Sequence, residues 1–224
     1  MKFSSCNQRA FQHGSASHFL ILALAAFVVG IGLYSLQNMH RGTSNPDNLQ
    51  KAVSLLESPR ALPKFTMTNH HGLQFTNQDF NGNWSFVFFG FTHCPDVCPL
   101  TLSTMNQASS LLSDDIQKQI IFISVDPNRD QPEKLKDYVT HFDSKTIGLT
   151  GNKEQIDLLT NSLGAIYAVP ENKTENYLVD HSAHIFVIAP NGKLAALFST
   201  PHEASVIADD FKIINAAYNK KYKS

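Results

Sequence analysis

The run Trp84 to Phe91, WSFVFFGF, constrains the fold more than any other stretch of the chain. It is too apolar on both faces to be a half-exposed strand, so it predicts a central strand covered on both sides. Two cysteines, Cys94 and Cys98, follow its glycine, and Pro99 stands where a helical pattern begins. Proline suits a first helical turn, where its missing N–H is not needed. Both thiols therefore fall at or just before a helix N-terminus, whose positive dipole end favours thiolate. Four positions at ~1.5 Å rise place them about one turn apart on one face. That spacing suits either a disulfide or two thiolates on one metal ion.

The rest of the chain supplies partners for such a strand. Two short alternating runs from Phe65 to Phe75 flank Asn69-His70-His71-Gly72, a hairpin signal. Leu102, Met105, Ala108 and Leu112 mark one face of the helix after Pro99. Ile120 to Val125 predicts a second buried strand, stopped at Asp126-Pro127. A helix with Asp130 as cap and Glu133 as capping acid follows, its apolar face being Leu135, Tyr138, Val139 and Phe142. Another begins near Asn152, with Ile156, Leu159 and Leu163 on one side. Ile185–Ala189 and Leu194–Phe198 form a hairpin around Pro190-Asn191-Gly192. Thr200-Pro201-His202-Glu203 has the form of a helix cap with a first-turn proline, ahead of a last helix burying Ile207, Phe211, Ile214 and Tyr218. This order predicts an α/β, thioredoxin-like fold, a central mixed sheet with flanking helices.

Ahead of that domain, Phe19 to Leu36 is an uncharged stretch of 18 residues, long enough to span a bilayer. It exceeds the apolar core of a signal peptide, and Tyr34-Ser35-Leu36-Gln37 is a poor cleavage site, so an uncleaved anchor is expected. Lys2 and Arg9 precede the span without an acidic residue, which favours a cytoplasmic N-terminus and an exported domain. The organisation expected is a cytoplasmic segment (residues 1–18), one transmembrane helix (19–36), a polar tether (37–60) with a short helix from Asp47 to Leu56, and a folded domain (61–224). A bacterial plasma membrane, with the domain in the periplasm or extracytoplasmic space, is the location this favours. A net charge of −1 and the absence of a basic tract give no electrostatic case for nucleic acid.

Of the three cysteines, Cys6 lies before the anchor and so in another compartment. Cys94 and Cys98 then form a pair in an oxidising space. A bridge closing so short a loop restricts little of the unfolded chain, so the pair points to chemistry rather than to a structural staple. Among ten histidines, His181 stands just before the Ile185 strand, where a thioredoxin-like sheet passes beside the cysteine turn. It either reaches both sulfurs or bonds to loop backbone. His184 is expected at the surface, His93 to diverge from its neighbour Cys94, and His70 and His71 to face solvent in a turn. Asp126 and Asp130 lack a glycine-rich phosphate loop before them and predict turn and cap roles.

Two thiolates and one imidazole make a soft, low-coordinate set. Structural zinc takes four protein ligands, and no fourth stands out. Copper, as Cu(I) or Cu(II), matches best. Thiol–disulfide exchange at Cys94 and Cys98 is the rival. Against it, the spacer has three residues instead of two, and Ser182-Ala183-His184 lacks the proline such enzymes place there.

At these residues the sequence resembles the Sco (SenC) family of membrane-anchored copper proteins. The resemblance rests on GFTHCPDVCP at Gly90 to Pro99 and VDPNRDQPEKLKDYV at Val125 to Val139. Gly148-Leu149-Thr150-Gly151 and VDHS at Val179 to Ser182 extend it. It implies Cys94, Cys98 and His181 as copper ligands on a thioredoxin-like fold. It also implies a metallochaperone that receives copper from a donor protein and assists assembly of the binuclear copper site in a cytochrome c oxidase subunit. Reduction of that site's cysteines, or copper and redox sensing, are the other roles. The Ser199–Ala204 stretch is not among the family's shared motifs.

Overall fold

The computed structural model of the chain describes residue 49 and residues 59–171, 174 and 176–222. The expected membrane span and most of the tether, with its short helix, lie outside the described residues. Among the described residues no helix is long and apolar enough to cross a membrane.

The strands are β1 (Arg60–Ala61), β2 (Thr66–Asn69), β3 (Gln74–Thr76), β4 (Trp84–Gly90), β5 (Lys118–Ser124), β6 (Ile147–Thr150), β7 (Tyr167–Ala168), β8 (Asp180–His181), β9 (Ile185–Ile188) and β10 (Lys193–Phe198). The helices are α1 (Val97–Ser110), α2 (Pro132–Phe142), α3 (Lys153–Leu163) and α4 (Ala204–Tyr222). Eight of the described strands form one mixed sheet in the order β1-β10-β9-β4-β5-β6-β2-β3, while β7 and β8 pair separately.

The apolar run takes the central place that its composition demands. β4 runs parallel to β5 and antiparallel to β9, with Phe88 opposite Phe122 on one side and Ile185 on the other. All seven of its residues are buried. Burying each large apolar side chain contributes roughly 1.5–3 kcal/mol, which secures the strand on which the cysteine turn begins. Trp84 and Phe86 pack against Phe211 of α4 with ring centroids 5.2 and 5.0 Å apart. The Trp84 indole N–H donates to Asn215 Oδ1 at 3.0 Å, so its polar edge is satisfied in the same contact.

Both predicted hairpins form, β2–β3 and β9–β10. The helix predicted near Asn152 is capped by that residue, whose Oδ1 accepts from Gln155 N–H at 3.0 Å. Four short strands, β1, β6, β7 and β8, lay hidden in the sequence, three because they have only two residues each and β6 because it has four, one of them Gly148. Space explains the glycine, since a Cβ there would meet Val139 Cγ1 at 3.1 Å and Leu135 Cβ at 3.3 Å.

Three local expectations are corrected. The cap of α2 is Gln131, without a side-chain cap bond, because Asp130 is drawn into the interior by stronger partners. α4 begins at Ala204, so Thr200-Pro201-His202-Glu203 is a segment ahead of the helix. His70, expected in solvent, is buried. Its backbone N–H donates to Gly148 O at 2.8 Å, and its Nδ1 accepts from Gly148 N–H at 3.0 Å. The ring thus extends the pairing of β2 with β6.

Candidate metal centre

β4 ends at Gly90, and the chain turns at once, with Cys94 N–H donating to Phe91 O at 3.1 Å. Three residues after Cys94 the backbone enters α1, which places Cys98 in its first turn. The N–H of Cys98 points to Cys94 Sγ at 3.4 Å. An unpaired helix N-terminal donor therefore faces the outer sulfur. Cys98 is fully buried, Cys94 and His181 are half-buried, and both cysteines are free thiols.

Gly90 makes room for the inner sulfur. A Cβ at that position would lie 2.7 Å from Cys98 Sγ and 2.7 Å from the Phe122 ring. Such contact is far inside van der Waals distance and leaves no tolerance for alanine.

His181 arrives from the small β7–β8 ribbon, opposite Tyr167. Its Nε2 stands 3.3 Å from Cys98 Sγ, and its Nδ1 faces Ser182 O at 3.1 Å. A carbonyl only accepts, so Nδ1 carries the proton and Nε2 turns a lone pair toward the sulfurs. Phe88 and Phe91 hold the ring edge-on, 5.7 and 5.9 Å away. Tyr167 is tied to α3 by its hydroxyl, which donates to Asp157 Oδ1 at 2.5 Å.

Among the described residues, Cys94, Cys98 and His181 form a group whose ligand atoms all lie within 4.8 Å of one another. Two donors at metal–ligand distances of about 2.0–2.3 Å stand at most about 4.6 Å apart. The three atoms are therefore within reach of a single ion after little adjustment. The two thiols differ electrically. The Cys98 S–H beside it holds the Cys94 thiol down to about 4, opposed by burial and helped by the backbone N–H groups of Cys98 and Asp96. Cys98 is pushed up, first because it donates to Cys94 and then by burial. The result is an outer thiolate and an inner thiol, poised to lose one more proton to a cation.

Behind the turn lies Asp130, which is fully buried. Its Oδ2 accepts from Thr92 N–H at 2.9 Å and Ser124 Oγ–H at 2.7 Å, and its Oδ1 from Thr92 Oγ–H at 2.6 Å. One carboxylate thus fastens the residue two before Cys94 to the end of β5. Asp126 is engaged nearby with the Tyr177 hydroxyl at 2.6 Å and with the Arg129 guanidinium. Neither carboxylate belongs to the three-residue group, nor do His70, His71, His93 and His184. The exposed His93 lies against Lys134 Nζ, 3.0 Å from Nε2. Sequence reasoning missed Asp130 and Gly90 as parts of the site. The signal for Gly90 was its place between an apolar run and a cysteine turn, whereas Asp130 carried none beyond a capping pattern that pointed elsewhere.

Comparison with known proteins finds relatives in sequence and in overall fold. Residues 54–215 match the family described as SCO1/SenC. The chain is 32% identical over 180 residues to Protein sco1 of Schizosaccharomyces pombe, covering 78% of this chain and 68% of that protein. It is 38% identical over 155 residues to a putative copper-binding protein of Stutzerimonas stutzeri, covering 68% and 76%. Among solved structures, copper-bound ScoI of Arabidopsis thaliana is similar with a TM-score of 0.62 at 31% identity, over 69% of this chain and 98% of that one. Copper-bound yeast Sco1 is similar with a TM-score of 0.64 at 29% identity, over 71% and 90%. The fold is the mixed α/β arrangement of those structures, and the chain belongs to the SCO1/SenC family.

Proposed function

We propose that this chain is a copper carrier, anchored by residues 19–36 in a bacterial plasma membrane. Its folded domain faces the extracytoplasmic side, and Cys94, Cys98 and His181 hold the ion. The observation that carries the reading is the convergence of two sulfurs and one imidazole nitrogen within 4.8 Å. Two soft thiolates satisfy Cu(I), and the added imidazole lets the same site accept Cu(II). The donor set suits an ion that must later leave, because no fourth protein ligand among the described residues closes the site. The similar ScoI of Arabidopsis thaliana and Sco1 of yeast have both been solved with copper bound. By family resemblance, the recipient is the binuclear copper site of a cytochrome c oxidase subunit, and a separate protein loads the ion.

Titrating the reduced chain with Cu(I) against a competing chelator, without oxygen, tests the carrier. One copper should bind per chain, and none after oxidation to the Cys94–Cys98 disulfide, which offers no thiolate. Full-strength binding by the oxidised chain would rule out these ligands. A reporter fused after Ser224 should be active only outside the cytoplasm, and cytoplasmic activity would overturn the anchor.

The unequal thiols support a second reading, reduction of a disulfide in the same recipient. The Cys94 thiolate would attack one sulfur of the recipient's disulfide, forming a mixed disulfide and releasing a thiolate that takes up a proton. Cys98 would then lose its proton and attack Cys94 Sγ, expelling the second recipient thiol. Two electrons pass to the recipient, and Cys94–Cys98 is left oxidised for a thiol reductant to restore. Incubating the reduced, copper-free chain with the oxidised recipient domain separates the readings. Recipient thiols should appear at stoichiometric yield only if the second holds.

A further inference from the structure

We infer that His202 is a positioning residue for His181, acting through the Ala183 carbonyl to keep the third ligand's imidazole in its metal-ready tautomer. The inference rests on Cys94, Cys98 and His181 being the copper ligands, although its first test does not.

The segment Ser182-Ala183-His184 joins β8 to β9 without pairing in either sheet. Bonds from two sides hold it. On one side, Ser182 N–H donates to Ile166 O at 2.8 Å, and Ile166 N–H donates to Ser182 Oγ at 2.8 Å. On the other, His202 donates from Nε2 to Ala183 O at 2.6 Å. Between these two fastenings lies the Ser182 carbonyl, the acceptor that fixes the proton on His181 Nδ1. The Ser182 carbonyl belongs to the peptide plane between two pinned ones. With both neighbours held, it can turn only through paired changes in ψ at Ser182 and φ at Ala183, and loss of the His202 bond frees the outer plane to move with it. If the Ser182 plane turns, His181 loses its Nδ1 acceptor and the reason for presenting Nε2 to the sulfurs. Outer bonds of this kind orient metal-binding histidines in general.

His202 itself is unsuited to most other roles. Its Nδ1 is buried without a hydrogen-bond partner among the described residues, so the Ala183 bond is the ring's one polar engagement there. Burial keeps the ring neutral, and since the carbonyl can only accept, the proton sits on Nε2. It does not belong to the three-residue metal-binding group. A half-buried histidine ahead of a helix it does not cap, aimed at one carbonyl beside the site, fits positioning.

The test uses the full chain in detergent, uniformly ¹⁵N-labelled, reduced and free of metal. Long-range ¹H–¹⁵N correlation of the imidazoles should show His181 with its proton on Nδ1. His202→Gln retains a donor, whereas His202→Met has similar reach and none. Gln should preserve the tautomer and Met should give a mixture of the two. Copper forms the second arm. Met should weaken Cu(II) roughly 10–100-fold and shift the thiolate-to-Cu(II) charge-transfer band, with Cu(I) changed less than about threefold and Gln restoring most of the Cu(II) affinity. The proposal is overturned if His181 carries its proton on Nε2 in the parent chain, or if Met leaves the tautomer unchanged. It is also overturned if Cu(I) and Cu(II) fall together in step with melting temperature, the mark of a merely structural residue. Should the parent bind copper equally well after Cys94→Ser and Cys98→Ser, the carrier reading fails, and the tautomer arm still decides the role of His202.

Discussion

The cysteine side and the histidine side of the site are held by unlike means. Cys94 and Cys98 sit between a fully buried strand and a helix start, over a carboxylate that accepts three bonds with no access to water. Hydrogen bonds to a buried charge are the stronger kind. His181 hangs on a two-residue ribbon whose neutral bonds, Ile166 with Ser182 and His202 with Ala183, lie at or near the surface. Segments with few buried contacts and exposed backbone bonds open locally at lower cost. The pair of sulfurs is therefore the fixed half of the proposed chelate, and the imidazole is the adjustable half.

The hardest blow to that contrast comes from the fixed half. Cys94→Ser and Cys98→Ser should each cut the affinity for both Cu(I) and Cu(II) by well over the roughly 100-fold upper range of outer-shell changes, measured by chelator competition. Retention of either affinity would show that the sulfurs are not the anchor. Next in size, Asp130→Ala strands three donors in the interior and should cost about 3 kcal/mol of stability, read from denaturant unfolding. Both copper affinities should fall together with it. A loss confined to Cu(II) would place Asp130 on the histidine side instead.

Smaller and more selective, His181→Ala should weaken Cu(II) roughly 10–100-fold and Cu(I) less, since two thiolates suffice for the monovalent ion. His184→Ala should leave both within about twofold of the parent. If the two histidine variants exchanged these effects, the third ligand would be His184. The last expectation concerns His70, the residue just past β2. Burial, then His71 and Lys136, lower its proton affinity, outweighing the opposing influence of the Gly148 backbone, with a net downward shift. The unfolded chain therefore binds this proton first, and stability falls as pH drops below about 6.5. A single proton sets a ceiling of about 1.4 kcal/mol per pH unit. His70→Asn, whose amide oxygen can take the Gly148 N–H without titrating, should flatten the curve between pH 7 and 5. An unchanged slope would assign the acid sensitivity elsewhere.

The same contrast explains what could be read without coordinates. β4, the cysteine turn and α1 were legible because each depends on neighbours in sequence: an apolar run, a glycine, a proline and a helical stripe. The proximity of His181 to the sulfurs was legible only as one of two alternatives until the family motifs were considered. Asp130 looked like a cap because caps are local and its true partners are not. Thr92 lies 38 residues away, and two hydroxyls and an amide in the interior outcompete one helix end. His70 was misplaced for the same reason, since its partner Gly148 is 78 residues distant. His202 resembled part of a capping box, yet α4 starts two residues later, which frees its ring to face Ala183.

Gly90 has a consequence for anyone who would move this chelate to another protein. A strand–turn–helix with the two cysteines correctly spaced, but with alanine at the strand's end, has no recess for the inner sulfur. Crowded by the methyl group, that sulfur must swing outward and meet water beside its partner. The graft would then behave as an exposed dithiol that oxidises readily, and would lose the ion-holding pocket it was meant to carry. The minimal transferable unit is thus longer than the cysteine motif by the four residues that reach back to Gly90.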